Sequence, residues 1–220
     1  MKKSIITGCI GILLSAAAFA QPVSDRAVVP IGVTLNQVLR LHVISGGNIE
    51  FVFNTIADYK NGMNATAAAA PFFTTTFQIA SSTSWQMKYG AEDATLVATD
   101  NRAALTAFNL KNIGYKVTNI GTNKVEDTGG AVVGATTDLI DDATTNFNGL
   151  EAYPVTLMAP KAGSKNGGDV AQNSFSMLWQ CGVPGITGTH PTLGTSILSQ
   201  NLTPDRYVTN VLFEIDSVTP

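Results

Sequence analysis

The chain has 220 residues and a formal net charge of −3 at pH 7, and only 13% of its residues are charged. Such an acidic, charge-poor chain argues against nucleic acid or an anionic membrane surface as a partner. Its two cysteines, Cys9 and Cys181, lie on opposite sides of the processing site predicted below. The exported part would therefore hold one cysteine and no intrachain disulfide.

The first twenty residues have the pattern of a secretory signal peptide. A Lys-Lys pair, a mostly apolar run over 5–18 and the small-x-small sequence Ala-Phe-Ala precede Gln21. We therefore expect cleavage after Ala20 and a secreted, extracellular protein. A lipoprotein-like box, ITGC at 6–9, leaves almost no apolar segment before its cysteine and ranks below that cleavage site. No later apolar run approaches the ~20 residues of a membrane span.

Residues 21–34 begin polar and become apolar. Ala27, Val29, Ile31 and Val33 share one parity, which predicts a strand with one apolar face. Pro30 lies on the other parity and cannot donate to a ladder, so the strand is an edge strand or pairs on one side there. Two interpretations remain open: the first strand of its own sandwich, or a donor strand exchanged between subunits.

The stretch 35–55 contains two alternating segments separated by Gly46-Gly47. Glycines can adopt the positive φ angles of a type I′ or II′ turn, so we predict a β-hairpin with its turn at this pair. The apolar positions that share a face are Leu35, Leu39, Leu41, Val43, Ile49, Phe51 and Phe53.

Short strands continue to the end of the chain. Alternating segments lie at 73–79, 85–89, 95–99, 110–117, 153–159, 175–181 and 207–215. A helical turn is predicted over 101–108 and a long surface loop over 134–148. We therefore predict an all-β protein with a single immunoglobulin-like or pilin-like β-sandwich over 35–220, Greek-key-like connections and long Thr/Asn/Gly loops. The side chains predicted to be buried are Phe51, Phe53, Phe77, Trp85, Trp179, Val211 and Phe213.

The sequence contains no catalytic motif: GxSxG, HExxH and a P-loop are all absent. His42 and His190 have no second histidine or cysteine at ligand spacing. Two acidic groups could offer oxygens to calcium but match no EF-hand loop, and acidic loop residues are more often solvated. These groups are Asp138, Asp141 and Asp142, and Glu92, Asp93 and Asp100. We predict that the protein is not an enzyme and has no metal site or cofactor.

Three aromatic residues have two interpretations. Trp85, Tyr89 and Trp179 could form a platform for sugars, but they share strand parity with neighbouring methionines, which favours the core. Cys181 shares the parity of Trp179, which predicts a buried, inert thiol.

The stretches TLNQVLRLHVISGGNIEFVF near the start and RYVTNVLFEI near the end resemble those of secreted bacterial pilin-like and adhesin-like β-sandwich surface proteins. RYVTNVLFEI is similar to the closing strand of many such sandwiches. The chain lacks the cysteine pair usual in chaperone–usher pilins. In the pilin type an N-terminal strand of one subunit completes the sheet of the next. The resemblance therefore implies other copies of the protein as partners and no catalytic residues.

Two functional hypotheses follow. The first is a structural subunit of an extracellular filament or surface assembly, joined head to tail by a donor strand that contains Ala27, Val29, Ile31 and Val33. The alternative is a monomeric secreted adhesin or β-sandwich module that binds host or environmental glycans. An exported hydrolase is remote, since no acid–base pair can be placed together.

Overall fold

The computed structural model describes residues 27–64, 70–100, 107–126, 147–161, 163–184 and 192–218. The chain divides into two units, Met1–Leu35 and Asn36–Pro220. In the first unit, the described residues 27–35 form neither helix nor strand, and their side chains are exposed.

The described part of the second unit is built mainly from short strands. Its one α-helix is α1 (Ile56–Asn61), and short 3-10 turns lie at Ala70–Phe73, Leu110–Asn112 and Ile197–Gln200. The strands are β1 (Leu39–Ser45), β2 (Thr74–Ser81), β3 (Trp85–Ala91), β4 (Thr95–Ala98), β5 (Phe108–Asn109), β6 (Ile113–Asn119), β7 (Val125–Glu126), β8 (Asn148–Gly149), β9 (Val155–Pro160), β10 (Ser174–Cys181), β11 (Tyr207–Val208) and β12 (Val211–Ser217).

Two antiparallel sheets carry the fold. One has five strands in the order β1-β2-β10-β6-β8, and the other has four in the order β12-β3-β9-β7. A third, three-stranded sheet has the order β11-β4-β5. It contributes Phe108 and Tyr207 to the hydrophobic cluster that forms the core of the protein.

The two sheets pack face to face. Side chains of β2 alternate between half-buried and buried along the whole strand, as expected for one face against a core. Trp85 of β3 meets Phe175 of β10 edge-on, with ring centroids 5.9 Å apart. Tyr89 of β3 packs on Tyr115 of β6 at 4.9 Å. Because each pair joins residues of different sheets, the protein is an all-β sandwich, as predicted.

The chain between β9 and β10 closes the sandwich at the start of β3. Asn166 is fully buried; its Oδ1 accepts a hydrogen bond from the Trp85 backbone N–H and its Nδ2 donates to the Trp85 carbonyl, both at 2.9 Å. Trp85 Nε1 donates to the Asn166 carbonyl, also at 2.9 Å. The side-chain amide thus satisfies buried backbone groups that would otherwise need a neighbouring strand.

The hairpin predicted over 35–55 is wrong. β1 pairs with β2, and residues 48–54 form no strand. Gly46 has a φ angle of 67°, and a Cβ at this position would lie 2.0 Å from the Thr74 carbonyl oxygen. Glycine is therefore required because the bend approaches the backbone of β2 closely, and the chain does not reverse there.

The predicted core is confirmed in part. Phe77, Trp85 and Trp179 are buried, with exposed fractions of 1%, 0% and 4%. The other predicted core residues are only half-buried, although they pack against the same cluster: Phe51, Phe53, Val211 and Phe213.

Most predicted strand segments contain a strand of the structure, and the segment over 110–117 begins with a 3-10 turn before β6. The predicted signal peptide at 1–20, including Cys9, lies outside the described residues, as do 101–106 and 134–146 of the predicted helical turn and surface loop. In the part of the chain that is described, no helix is both long enough and apolar enough to span a membrane.

Candidate functional site

Two edge strands lie side by side in the second unit. β1 is the outermost strand of the five-stranded sheet, β12 is the outermost strand of the four-stranded sheet, and the two are neighbours. Among the described residues, no strand lies beyond either of them. An edge strand presents unpaired N–H and C=O groups and is a template for pairing with another chain. This side of the sandwich therefore offers two adjacent edges.

The first wall of a cleft is formed by the chain that follows β1, residues 46–53. Ile49, Phe51 and Phe53 are half-buried, and the residues between them are exposed. Phe51 stacks on Phe73, with ring centroids 4.7 Å apart. This segment alternates as a strand does, yet it has no ladder partner in the described structure.

The second wall is the segment 202–213, which ends within β12. Tyr207, Val211 and Phe213 are half-buried and face the cleft. The Phe213 ring lies 5.7 Å from the Phe77 ring, so this wall is in contact with the core of the sandwich.

The space between the walls is a cavity of about 790 Å³, partly open to solvent. Its floor consists of buried side chains that include Thr75, Ile113, Leu150, Trp179, Cys181 and Ile197. Trp179 Nε1 donates to Thr75 Oγ1 at 2.9 Å, and that hydroxyl donates to the Gly46 carbonyl at 2.7 Å. The cleft therefore reaches the main core, and the bend at Gly46 is bonded to its floor.

The cleft has a neutral interior and a charged rim. Burial raises the pKa of the Cys181 thiol well above its ordinary value, so the thiol stays protonated. Burial, and to a lesser extent the charge of Asp205, raises the pKa of the Tyr207 phenol, which is neutral at physiological pH. At the rim, Arg206 Nε lies 3.7 Å from Glu50 Oε1, and both side chains are largely exposed. This ion pair connects the two walls.

The predicted donor residues lie in the first unit. Val29, Ile31 and Val33 are 77%, 86% and 78% exposed, and Ala27 is also exposed. The structure places none of them in a strand. Contiguous exposed apolar surface is a common feature of interaction sites.

The sugar-platform interpretation is not supported, since Trp85, Tyr89 and Trp179 are all buried in the core. Cys181 is buried, as predicted. His42 is exposed on β1, facing away from the core as predicted.

The described acidic residues do not gather around a cation. Glu92 accepts a hydrogen bond from Asn210 Nδ2 at 2.7 Å, and Asp93 and Asp100 are exposed. Within the described ranges no group of three or more His, Cys, Asp or Glu side chains is arranged to hold a metal ion. The other calcium candidates, Asp138, Asp141 and Asp142, lie outside those ranges, as does His190.

From the sequence we predicted a donor segment, which stays a prediction, and we missed the cleft. The sequence did contain a signal of the cleft, the alternation of Ile49, Phe51 and Phe53. We interpreted this alternation as the second strand of a hairpin. Alternation shows which face of a segment is apolar, but it does not show whether a neighbouring strand exists.

Within the described residues, the fold and the cleft define a class: an all-β sandwich with two adjacent edge strands and a partly open cleft beside them. No protein-family model matches the chain, and no curated protein matches it. Its function is therefore argued from this geometry.

Proposed function

We propose that the protein is a structural subunit of an extracellular filament or surface assembly. In this proposal the segment that contains Ala27, Val29, Ile31 and Val33 leaves one copy and fills the cleft of the next. The contact is head to tail, so it does not close on itself and propagates into a fibre. The predicted signal peptide supports an extracellular location at the bacterial surface.

One observation carries the proposal. Of the seven side chains that the sequence predicted to be buried, the four that are only half-buried all line the cleft: Phe51, Phe53, Val211 and Phe213. Their alternation is that of an interior, and the described chain does not complete that interior. One added apolar strand between the walls would bury them.

The donor segment fits this space in length and pattern. Residues 27–35 span about 30 Å when extended, at ~3.3 Å per residue, which is longer than the wall formed by 46–53. Burying a Val or Ile side chain contributes about 1.5–3 kcal/mol relative to leaving it in water. Strand addition to an edge also supplies main-chain hydrogen bonds, while alternate side chains provide specificity.

A second copy is a better source of the strand than the same chain. The Val38 N–H donates to Ser82 Oγ at 2.9 Å, and the Val38 carbonyl accepts from the Ser82 N–H at 2.9 Å. Only Asn36 and Gln37 therefore separate residues 27–35 from the anchored start of β1. The two-residue turns that best match paired strands have positive φ angles, which neither residue adopts in this structure.

The test uses two adjacent valines with similar exposure, Val28 at 81% and Val29 at 77%. Val29→Asp places a charge on the face that enters the cleft, and Val28→Asp places it on the opposite face. Chains that begin at Gln21 are examined by negative-stain microscopy and by gel electrophoresis without boiling. We expect filaments and a ladder from the parent and Val28→Asp chains, and monomers from Val29→Asp.

Deletion of residues 21–32 provides a second comparison. The truncated chain should stay folded, because the described sheets contain none of these residues, but it should no longer polymerise. If the parent chain is monomeric at high concentration with residues 27–35 protected from proteolysis, the filament proposal fails. The glycan-binding module then becomes the better hypothesis.

A further inference from the structure

The bend at Gly46-Gly47 interrupts the wall on which an incoming strand would pair. β1 ends at Ser45, and the strand-like alternation resumes only at Ile49. The Gly46 carbonyl accepts a hydrogen bond from the buried Thr75 hydroxyl on the floor of the cleft. That carbonyl is therefore directed toward Thr75, so it is poorly placed to accept a hydrogen bond from a main-chain N–H arriving along the edge.

The donor segment has a matching irregularity. Pro30 is the only proline in residues 27–35, and it has no N–H group. Successive residues of a strand direct their backbone groups to opposite neighbours, so Val28, Pro30 and Gly32 face one neighbour and the residues between them face the other. Because Pro30 has no N–H, one main-chain hydrogen bond is missing, and it is missing only toward the neighbour that Val28, Pro30 and Gly32 face.

We propose that Pro30 of one copy lies opposite the Gly46-Gly47 bend of the next copy, and that this match sets the register of the exchanged strand. The inference rests on the proposed function. A residue with an N–H at this point would bury a donor without a good acceptor, and a proline in another register would leave an edge carbonyl without a donor.

This register makes a definite geometric prediction. Val28 and Gly32 flank Pro30, so they lie across from the residues that flank the bend, Ile44 and Asn48. All four are exposed, and Asn48 also borders the cleft. Cysteines at these sites would therefore be accessible to a partner cysteine.

Disulfide trapping tests the register directly. Chains that carry V28C or G32C are mixed with chains that carry I44C or N48C, and the controls carry H42C or V52C, which lie two or more residues farther from the bend. Cys181 is buried and gives a low background. Because a disulfide requires Cα atoms closer than about 7 Å, we expect on the order of tenfold more cross-linked dimer with Ile44 and Asn48 than with the controls.

Moving the proline tests whether it sets the register. In chains with P30A and G32P together, the preferred partner of V28C should move two residues farther from the bend, or assembly should weaken on the order of tenfold relative to P30A alone. An unchanged partner with unchanged yield would overturn the inference.

The two proposals fail in different ways. Cysteine variants that retain Pro30 and assemble, but cross-link preferentially at His42 or Val52, would contradict the register and leave strand exchange intact. Parent chains that do not assemble at all would contradict the proposed function itself. Thermal melts of each cysteine variant confirm that the sandwich is folded before the cross-linking yields are compared.

Discussion

The closed end of the sandwich and the cleft contain side chains of the same kind in different states. At the closed end, Trp85 is fully buried, and the Asn166 side chain bonds to both backbone groups of Trp85. At the cleft, Phe51 and Phe213 have the parity of core residues but remain half-buried. The apolar pattern is equally clear in both regions.

The difference lies in what covers each region. At the closed end, the loop after β9 supplies a substitute for a neighbouring strand. At the cleft, the described residues supply none, so buried core side chains such as Trp179 and Thr75 form the floor of an open cavity. Protein interiors are normally close-packed, and a core that opens to solvent at one edge is suited to accept a partner.

The largest expected effect on the free energy of unfolding comes from one substitution, Phe to Ala, made once in the packed core and once at the cleft. In monomeric chains that carry V29D, we expect Phe77→Ala to lower the free energy of unfolding by about 3–5 kcal/mol, because its side chain is fully packed. Phe213→Ala should cost roughly half as much, since its side chain is already partly hydrated. Urea melts measure both values, and equal losses would show that the cleft is packed in the monomer.

The closed end should depend on a single amide. Asn166→Ala leaves the Trp85 backbone N–H and C=O without their side-chain partners, and we expect a loss of about 2–4 kcal/mol. Asn166→Asp is the second comparison: it keeps the acceptor but buries a carboxylate oxygen against the Trp85 carbonyl, so at neutral pH it should cost at least as much as Asn166→Ala. A cost for Asn166→Ala below the experimental error would mean that water replaces the amide.

The two glycines of the bend beside the cleft should differ in how well they tolerate a side chain. Gly46→Ala forces a Cβ against the Thr74 carbonyl at a positive φ angle, and we expect a loss of about 1–3 kcal/mol. Gly47 has open space around the position of a Cβ, so Gly47→Ala should change stability by less than about 0.5 kcal/mol. Chemical denaturation of the two variants gives the comparison, and a reversed order would contradict the described bend.

The smallest effect should come from the rim of the cleft. Arg206→Gln removes an ion pair with Glu50 whose side chains are largely exposed, and such pairs contribute about 0.2–1 kcal/mol. Glu50→Gln should give the same change, and the double variant should lose no more than either single variant. The difference in stability between each variant and the parent chain should disappear at 1 M salt, where the screening length is about 3 Å. A larger or salt-independent loss would indicate a contact other than the ion pair.

Sequence patterns predicted the all-β class and most strands, because alternation reports the two faces of a strand directly. They failed at Gly46-Gly47, where the same glycine pair suits a hairpin turn or a close approach to another backbone. Only the position of Thr74 in the fold distinguishes these cases.

Burial could be predicted at Phe77 and Trp85 but not at Phe51 and Phe213. Burial of these last two side chains depends on the strands beside β1 and β12, which is a property of topology rather than of local sequence. The proposed donor residues could be named from sequence because they form one continuous alternating segment, and their role stays a prediction. The cleft was missed because its walls and floor come from distant parts of the chain.

Hydrogen–deuterium exchange on assembled chains tests the central claim most directly. The comparison is between filaments of the parent chain and monomeric V29D, read at the backbone amides of residues 27–35 and of β12. The account predicts that both segments become protected together on assembly, because a strand from one copy pairs with the edge of the next. Assembly that leaves both segments exchanging as fast as in the monomer would contradict it.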